Sequence, residues 1–341
     1  MKEFKHKVLM RNKVSIVLVC AWMFACTPEN PVENTNVTTD TGTNTKVETK
    51  TRVVPPNFNA DSAFAYVKFQ ADLGPRIPGS KAHENAVNYY EKQFKKFGAQ
   101  VLIQSGNVKT FDGKNWLLQN VIASFNVANT NRILLCSHYD SRPFCEKETD
   151  PKLRNNPCPG VNDGASGVGV LMEIARNIQA KDPNIGIDIV LFDLEDYGDN
   201  GGMPDTWCLG SQYWSKNPHK VGYTARYGIL LDMVGAKDAK FPREGVSVYY
   251  AGDVVNKVWK AAKTSGASGY FIDEETGDMT DDHTFVNSIA QIPTIDILHY
   301  DAKRNSFFEH HHRSTDNLEN IDKNTLQAVG QTLLEVIYNE N

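Results

Sequence analysis

Ile187-Asp188-Ile189-Val190-Leu191-Phe192-Asp193-Leu194-Glu195-Asp196 opens as a β-branched, apolar run and closes with three acids in four residues. Such a run predicts a strand buried on both faces of a parallel sheet. The acids then fall at its carboxyl end, the edge where open α/β sheets place their ligands. Taken alone, the more ordinary reading is a strand that stops in a solvated turn. Recurrence decides between the two. Ile133-Leu134-Leu135-Cys136-Ser137 runs into His138-Tyr139-Asp140, and Ile229-Leu230-Leu231 runs into Asp232. Ile295-Asp296-Ile297-Leu298 runs into His299, with His310-His311-His312 in the loop beyond, and Asp163 sits in a Gly-flanked turn ahead of a helix. Asn-Asp-Gly is usually only a turn, and adjacent histidines usually only a solvated loop. Gathered at one sheet edge, these acids and imidazoles are what a zinc site requires. Carboxylate with imidazole suits zinc far better than the carbonyl-rich shells that hold calcium.

The rest of the chain fits one sheet. Helices are expected over 59–73, closed by Gly74, and from a Ser80 cap through Val87, Tyr90, Phe94 and Phe97 on one stripe. Strands are expected over 100–104, 117–125, 132–136, 227–231, 246–250 and 293–298. Helices are expected over 164–179, 209–215, 254–265 and 282–288, and an amphipathic one over 322–338 through Leu326, Val329, Leu333 and Ile337. The alternation predicts an α/β single domain with a mixed, mostly parallel central sheet and helices on both faces.

Composition bounds the rest. The chain has 341 residues, 40% of them hydrophobic, and a formal charge of -5. No basic excess points to nucleic acid. Lys2, Lys5, Lys7, Arg11 and Lys13 precede an apolar core from Val14 to Ala25 that is short for a bilayer span. That pattern predicts an export signal over residues 1–25. Met23-Phe24-Ala25-Cys26 resembles a bacterial lipobox, making Cys26 the expected lipidation site and membrane anchor. Thr27 to Val54 has almost no large apolar side chains, so residues 26–54 are expected to be a disordered tether. The folded domain is then expected over 55–341, in an exported, periplasmic or outer-membrane-tethered lipoprotein. Among the remaining cysteines, Cys145 and Cys158 flank one polar loop and are the expected disulfide pair, export permitting one.

Several motifs together resemble the co-catalytic zinc aminopeptidase superfamily: His-Tyr-Asp at 138–140, Asn-Asp-Gly-Ala-Ser-Gly at 162–167, Leu-Glu-Asp at 194–196 and Leu-Asp-Met at 231–233. Within it, the chain resembles the glutaminyl-peptide cyclotransferases of animal type. That likeness rests on Pro75-Arg76-Ile77-Pro78-Gly79-Ser80, Leu209-Gly210-Ser211, Leu230 through Ala236, Asp281-Asp282-His283, and His312 followed by Asp316-Asn317. Related aminopeptidases usually have Ser-Asp-His where this chain has a doubled acid.

The resemblance implies one Zn2+ per chain, held by Asp163, Asp196 and His312. It implies Glu195 as general acid/base, with Asp232 and Asp281 as a hydrogen-bonded acid pair beside it. The implied substrates are peptides or proteins with N-terminal glutamine, converted to pyroglutamate with loss of ammonia. Two positions depart from the animal enzymes. Asp196 stands where they have Glu, and His311 where they have Trp, so Trp207, Phe307 or Phe308 is expected to supply aromatic wall beside His311. A two-zinc aminopeptidase with His138, Asp163 and Asp232 around a second metal is the alternative, and a non-catalytic binding protein on this fold is another.

Overall fold

The computed structural model describes residues 52–340. The expected signal, Cys26 and most of the expected tether lie outside them. In chain order the elements are α1 (Ala60–Leu73), α2 (Lys81–Lys96), β1 (Gln100–Lys109), β2 (Asn115–Phe125), β3 (Arg132–His138), α3 (Ala165–Ala180), β4 (Gly186–Phe192) and α4 (Leu209–Lys216). There follow β5 (Gly228–Asp232), β6 (Phe241–Arg243), α5 (Gly245–Thr264), β7 (Phe271–Glu275), α6 (Asp282–Phe285), β8 (Thr294–Leu298), β9 (Tyr300–Asp301), β10 (Ser306–Phe307) and α7 (Lys323–Tyr338).

Six strands form the central sheet in the order β1-β2-β4-β3-β5-β8. β1 and β2 are an antiparallel hairpin, and β2 pairs antiparallel with β4. β4, β3, β5 and β8 run parallel. The sheet is therefore mixed and mostly parallel, as expected. Every residue of β3, β4, β5 and β8 is buried, because helices cover both faces. Period-2 alternation sorts the side chains. Ile133, Leu135, Ile187, Ile189 and Leu191 join α1, α2, α3, α5 and α7 in the larger core. Leu134, Cys136, Val190 and Phe192 face the other way, against Trp214 of α4 and Val286.

One buried charge pair interrupts the apolar layer. Arg132 Nε and Nη2 donate to Asp188 Oδ2 and Oδ1 at 2.8 and 2.9 Å. The remaining guanidinium hydrogens go to the carbonyls of Phe125, Asn126 and Asn129. Asp188 also accepts from Ser124 and Tyr223. Burial opposes its charge, but His219, Arg132 and Ser124 outweigh it and hold the carboxyl below the ordinary aspartate range.

Two expectations fail. Residues 246–250 are not a strand but the first turns of α5, which bends at Ala251 (φ -143°, ψ 37°). Val246-Ser247-Val248 mimics strand alternation, while the helix start is set by Glu244, whose carboxylate accepts from the amides of Val246 and Ser247. A Glu cap is not among the usual sequence signals for a helix start. The tether also ends earlier than expected. Arg52 pairs with Glu335 at 2.6 Å and Val53 N donates to Asn339, so residues 52 and 53 lie on α7. Among the described residues, no helix is long and apolar enough to cross a membrane.

Candidate active site

The carboxyl ends of the parallel strands carry the acids and histidines. His138 ends β3, Asp232 ends β5, and the 193–196 turn follows β4. Asp163 stands just before α3 in the Gly-rich turn. The two glycines of Asp163-Gly164-Ala165-Ser166-Gly167 are required by close approach. A Cβ at Gly164 would collide with the backbone and ring of His138, and one at Gly167 with Ser137 and the carbonyl of Leu231. The start of α3 is thereby seated directly on the ends of β3 and β5.

Four non-glycine residues around this edge adopt the left-handed conformation: Leu194 (φ 53°), Cys208 (φ 55°), Met233 (φ 49°) and His312 (φ 56°). Strain of this kind persists only where surroundings over-determine it, and it collects at functional sites. The restraints are carboxylates that accept backbone amides. Asp140 accepts from Glu195 N and Asp196 N, both at 3.1 Å. Asp316 accepts from Asn162 N at 2.8 Å and Asp163 N at 3.1 Å. Asp193, which had no assigned role, bonds His83, Gln119 N and Leu194 N and locks the turn. Arg142 Nη1 donates to the carbonyls of Asp196 and Gly198.

The three expected ligands converge. His312 Nε2 lies 3.0 Å from Asp196 Oδ1 and 3.8 Å from Asp163 Oδ2. His311 Nε2 is similarly near Asp163 Oδ2, at 3.7 Å. His312 is distinguished by its reach to Asp196 and by Glu146, whose Oε1 lies 2.7 Å from Nδ1. All three ligands are buried. Asp196 Oδ2 is buried with no hydrogen-bond partner. Burial disfavours a charged His312, yet Asp196, Glu146 and Asp163 raise its pKa to about 9, the behaviour of a site short of positive charge. Two carboxylates, an imidazole and an orphaned oxygen fit a zinc ion, with Glu146 fixing the imidazole from behind.

Beside them, His138 Nε2 lies 3.1 Å from Asp163 Oδ1 and 3.2 Å from Asp232 Oδ1. Among the described residues no hydrogen bond joins Asp232 to Asp281. His138 engages Asp232, while Asp281 caps α6 and lies near Glu195 and Cys208, and the charge of Asp281 still acts on Asp232. Burial, against the hydrogen bond from His138, pushes Asp232 up to about 7. Glu195 is largely buried, and that burial, opposed by His138, puts its carboxyl well above the ordinary range. It is thus suited to hold a proton near neutral pH.

These groups floor a cavity of about 480 Å³ whose walls include Trp207, Phe307 and His311. Trp207 stacks parallel to His312, with ring centres 6.0 Å apart, and carries Arg142 on its face at 4.5 Å. Phe307 packs on His311, ring centres 4.7 Å apart. Phe308 instead turns inward onto Met233 and Leu298. Cys145 and Cys158 are disulfide-bonded, closing the loop that bears Glu146. The supporting roles of Glu146 and Arg142 carried no sequence signal, since each depends on contacts between distant loops.

A sheet edge of this kind, with clustered acids and histidines at strand ends, marks an α/β metallohydrolase-like enzyme. Residues 120–337 match peptidase family M28, and the chain belongs to that family. It is similar to a Bacteroides thetaiotaomicron glutaminyl cyclase solved with N-acetylhistamine, at 48% identity and TM-score 0.83, over 84% of this chain and 100% of that one. It is also similar to a Zn-dependent exopeptidase from Parabacteroides distasonis, at 49% identity and TM-score 0.82, over 84% and 100% of the two chains. By sequence it matches an aminopeptidase of Bacillus subtilis, at 25% identity over 78% of this chain. The chain spans about half the length of that relative, 53%.

Proposed function

We infer that the protein is a zinc-dependent glutaminyl-peptide cyclotransferase that converts N-terminal glutamine of peptides to pyroglutamate and releases ammonia. The observation that carries this reading is Asp281 beside Glu195, with ligand atoms of the two and of Cys208 within 4.8 Å of one another. The doubled acid at 281–282 sets a second buried carboxylate next to the proton carrier, where the related aminopeptidases usually have serine. Likeness to a glutaminyl cyclase along that whole chain supports it.

The reaction forms a bond between the α-amine nitrogen and the side-chain amide carbon, and breaks the bond from that carbon to the amide nitrogen. Asp163, Asp196 and His312 would hold one zinc, which when bound supplies a Lewis acid for the amide carbonyl. Glu195 takes the proton that the amine loses and returns it to the departing nitrogen, work suited to its raised pKa. Asp281, when ionised, adds negative charge near Glu195 and so favours its protonated form. Trp207, Phe307 and His311 line the cavity and offer the substrate an aromatic wall that can orient its amine towards the amide carbon. His138 Nε2, 3.1 Å from Asp163 Oδ1 and 3.2 Å from Asp232 Oδ1, forms a second cluster of possible ligand atoms beside these, so zinc stoichiometry separates the one-metal reading from the two-metal one. The basic and apolar run before Cys26 supports export and tethering through that residue, testable by labelling with a radioactive fatty acid.

Purified protein given a Gln-initiated dipeptide amide is expected to release ammonia, with the matching mass loss from the peptide and close to one zinc per chain. Free amino acid from Leu- or Ala-initiated substrates, with nearly two zinc per chain, would instead identify an aminopeptidase. Bound zinc with no turnover of either substrate would leave a binding protein.

A further inference from the structure

We infer that Cys208 is a positioning residue for Glu195: its thiol holds one carboxylate oxygen and leaves the other to exchange the proton. The inference rests on the role given to Glu195 above. Cys208 Sγ lies 3.3 Å from Glu195 Oε1, and its backbone amide donates to the Glu195 carbonyl at 2.9 Å. The amide of Leu209 donates to the carbonyl of Leu194 at 3.0 Å. The chain at 208–209 therefore grips the catalytic turn by two backbone bonds and one side-chain bond. The second oxygen, Oε2, faces His138 Nδ1 across 3.9 Å.

The local rules of helix formation are broken at this point. Cys208 occupies the N-cap of α4, where Ser, Thr, Asp or Asn would bond a first-turn amide from an extended backbone. Instead it is left-handed (φ 55°, ψ 37°) and makes no side-chain cap bond. A costly conformation at a position that forgoes its ordinary stabilisation is expected where another demand prevails. Here that demand is the direction of the thiol. Burial first, and the charge of Glu195 next, push the thiol pKa well above its ordinary value. Cys208 therefore stays S–H, a donor to the carboxylate and not a nucleophile or metal ligand. The preceding residue acts on the other half of the site, since Trp207 stacks on His312. A single two-residue segment thus backs both the proton carrier and a metal-binding imidazole.

The test compares wild type, Cys208→Ala and Cys208→Ser as zinc-loaded full-length proteins on a Gln-initiated dipeptide amide, with zinc content measured alongside. Cys208→Ala is expected to lose about tenfold in kcat, a part of the roughly 10²–10⁴ that a general acid–base group contributes, with KM changed less than about twofold and zinc content unchanged. Cys208→Ser keeps a donor and is expected to return kcat to within about threefold of wild type. Wild-type kcat in the alanine variant, or equal impairment in both, would overturn the inference. An infrared measurement covers the case in which Cys208→Ala does not fold. The S–H stretching band that is lost in Cys208→Ser should shift between wild type and Glu195→Gln, because the acceptor changes from a carboxyl oxygen to an amide. An unmoved band refutes the contact. A wild-type protein that releases no ammonia but shows the shifted band would count against the cyclase reading and not against the contact.

Discussion

Glu146 Oε1 lies 2.7 Å from His312 Nδ1, so the imidazole that faces Asp163 and Asp196 is fixed from behind by a carboxylate far away in sequence. Glu146 is itself held by Arg142 Nε at 3.1 Å. Burial opposes its ionisation, but His312 and Arg142 hold its carboxyl down at about 2. Removing such a partner typically weakens metal binding about 10–100-fold. Glu146→Ala is expected to do so in a chelator-competition titration. Unchanged zinc affinity would show that His312 needs no support.

Glu195→Gln removes the proton carrier and leaves the three proposed ligands intact. Turnover is expected to fall by about 10²–10⁴-fold with zinc content unchanged. Retained cyclisation would exclude Glu195 from the role assigned to it.

Asp196→Ala tests the shorter acid. The backbone at Asp196 is held by Asp140 and Arg142, which offers a reason that an aspartate suffices where the animal enzymes have Glu. Zinc measured by elemental analysis after dialysis is expected to fall well below one per chain. Stoichiometric zinc in this variant would place the ion elsewhere.

Asp188→Ala leaves Arg132 buried and unpaired. Breaking a buried pair in this way costs about 3–5 kcal/mol. Urea denaturation is expected to show a loss of that order. Because the pair lies within the sheet, below the strand ends, zinc content of the folded variant should be unchanged. A loss under 1 kcal/mol, on the order of an exposed pair, would contradict the buried geometry.

Glu244, at the start of α5, gives a pH signature in stability. Burial raises its carboxyl, but His283 and the amides of Ser247 and Val246 outweigh that and leave it at about 2. A folded pKa below the unfolded one means that the unfolded chain binds the extra proton first. The stabilisation is therefore complete above about pH 4.5 and is lost as pH falls towards about 2, with a magnitude on the order of 3 kcal/mol. The melting temperature of wild type should fall across that window more steeply than that of Glu244→Gln. Parallel curves would remove Glu244 from the balance.

Periodicity made the sheet legible. Ile187 to Phe192 has one plausible buried partner set, and acids after several such runs had to meet at one edge. Asp163, Asp196 and His312 were singled out by the family resemblance, through local motifs, and the structure brings the three together at that edge. Glu146 and Arg142 were not, since each matters through a bond to a loop remote in sequence. Asp232 and Asp281 were expected as an acid pair, but the engagement of Asp232 by His138, from the end of another strand, had no local signal. At residues 246–250 the difficulty was different in kind. A first helical turn of Val-Ser-Val imitates a strand, and its cap is a buried glutamate that propensity does not identify.

The Cys145–Cys158 bridge closes a segment whose acids reach the loop bearing His312: Glu146 through the imidazole, and Glu148 through the amide and hydroxyl of Ser314. Reducing that bridge is therefore expected to loosen two loops at once, because both acids reach the His312 loop from inside the closed segment.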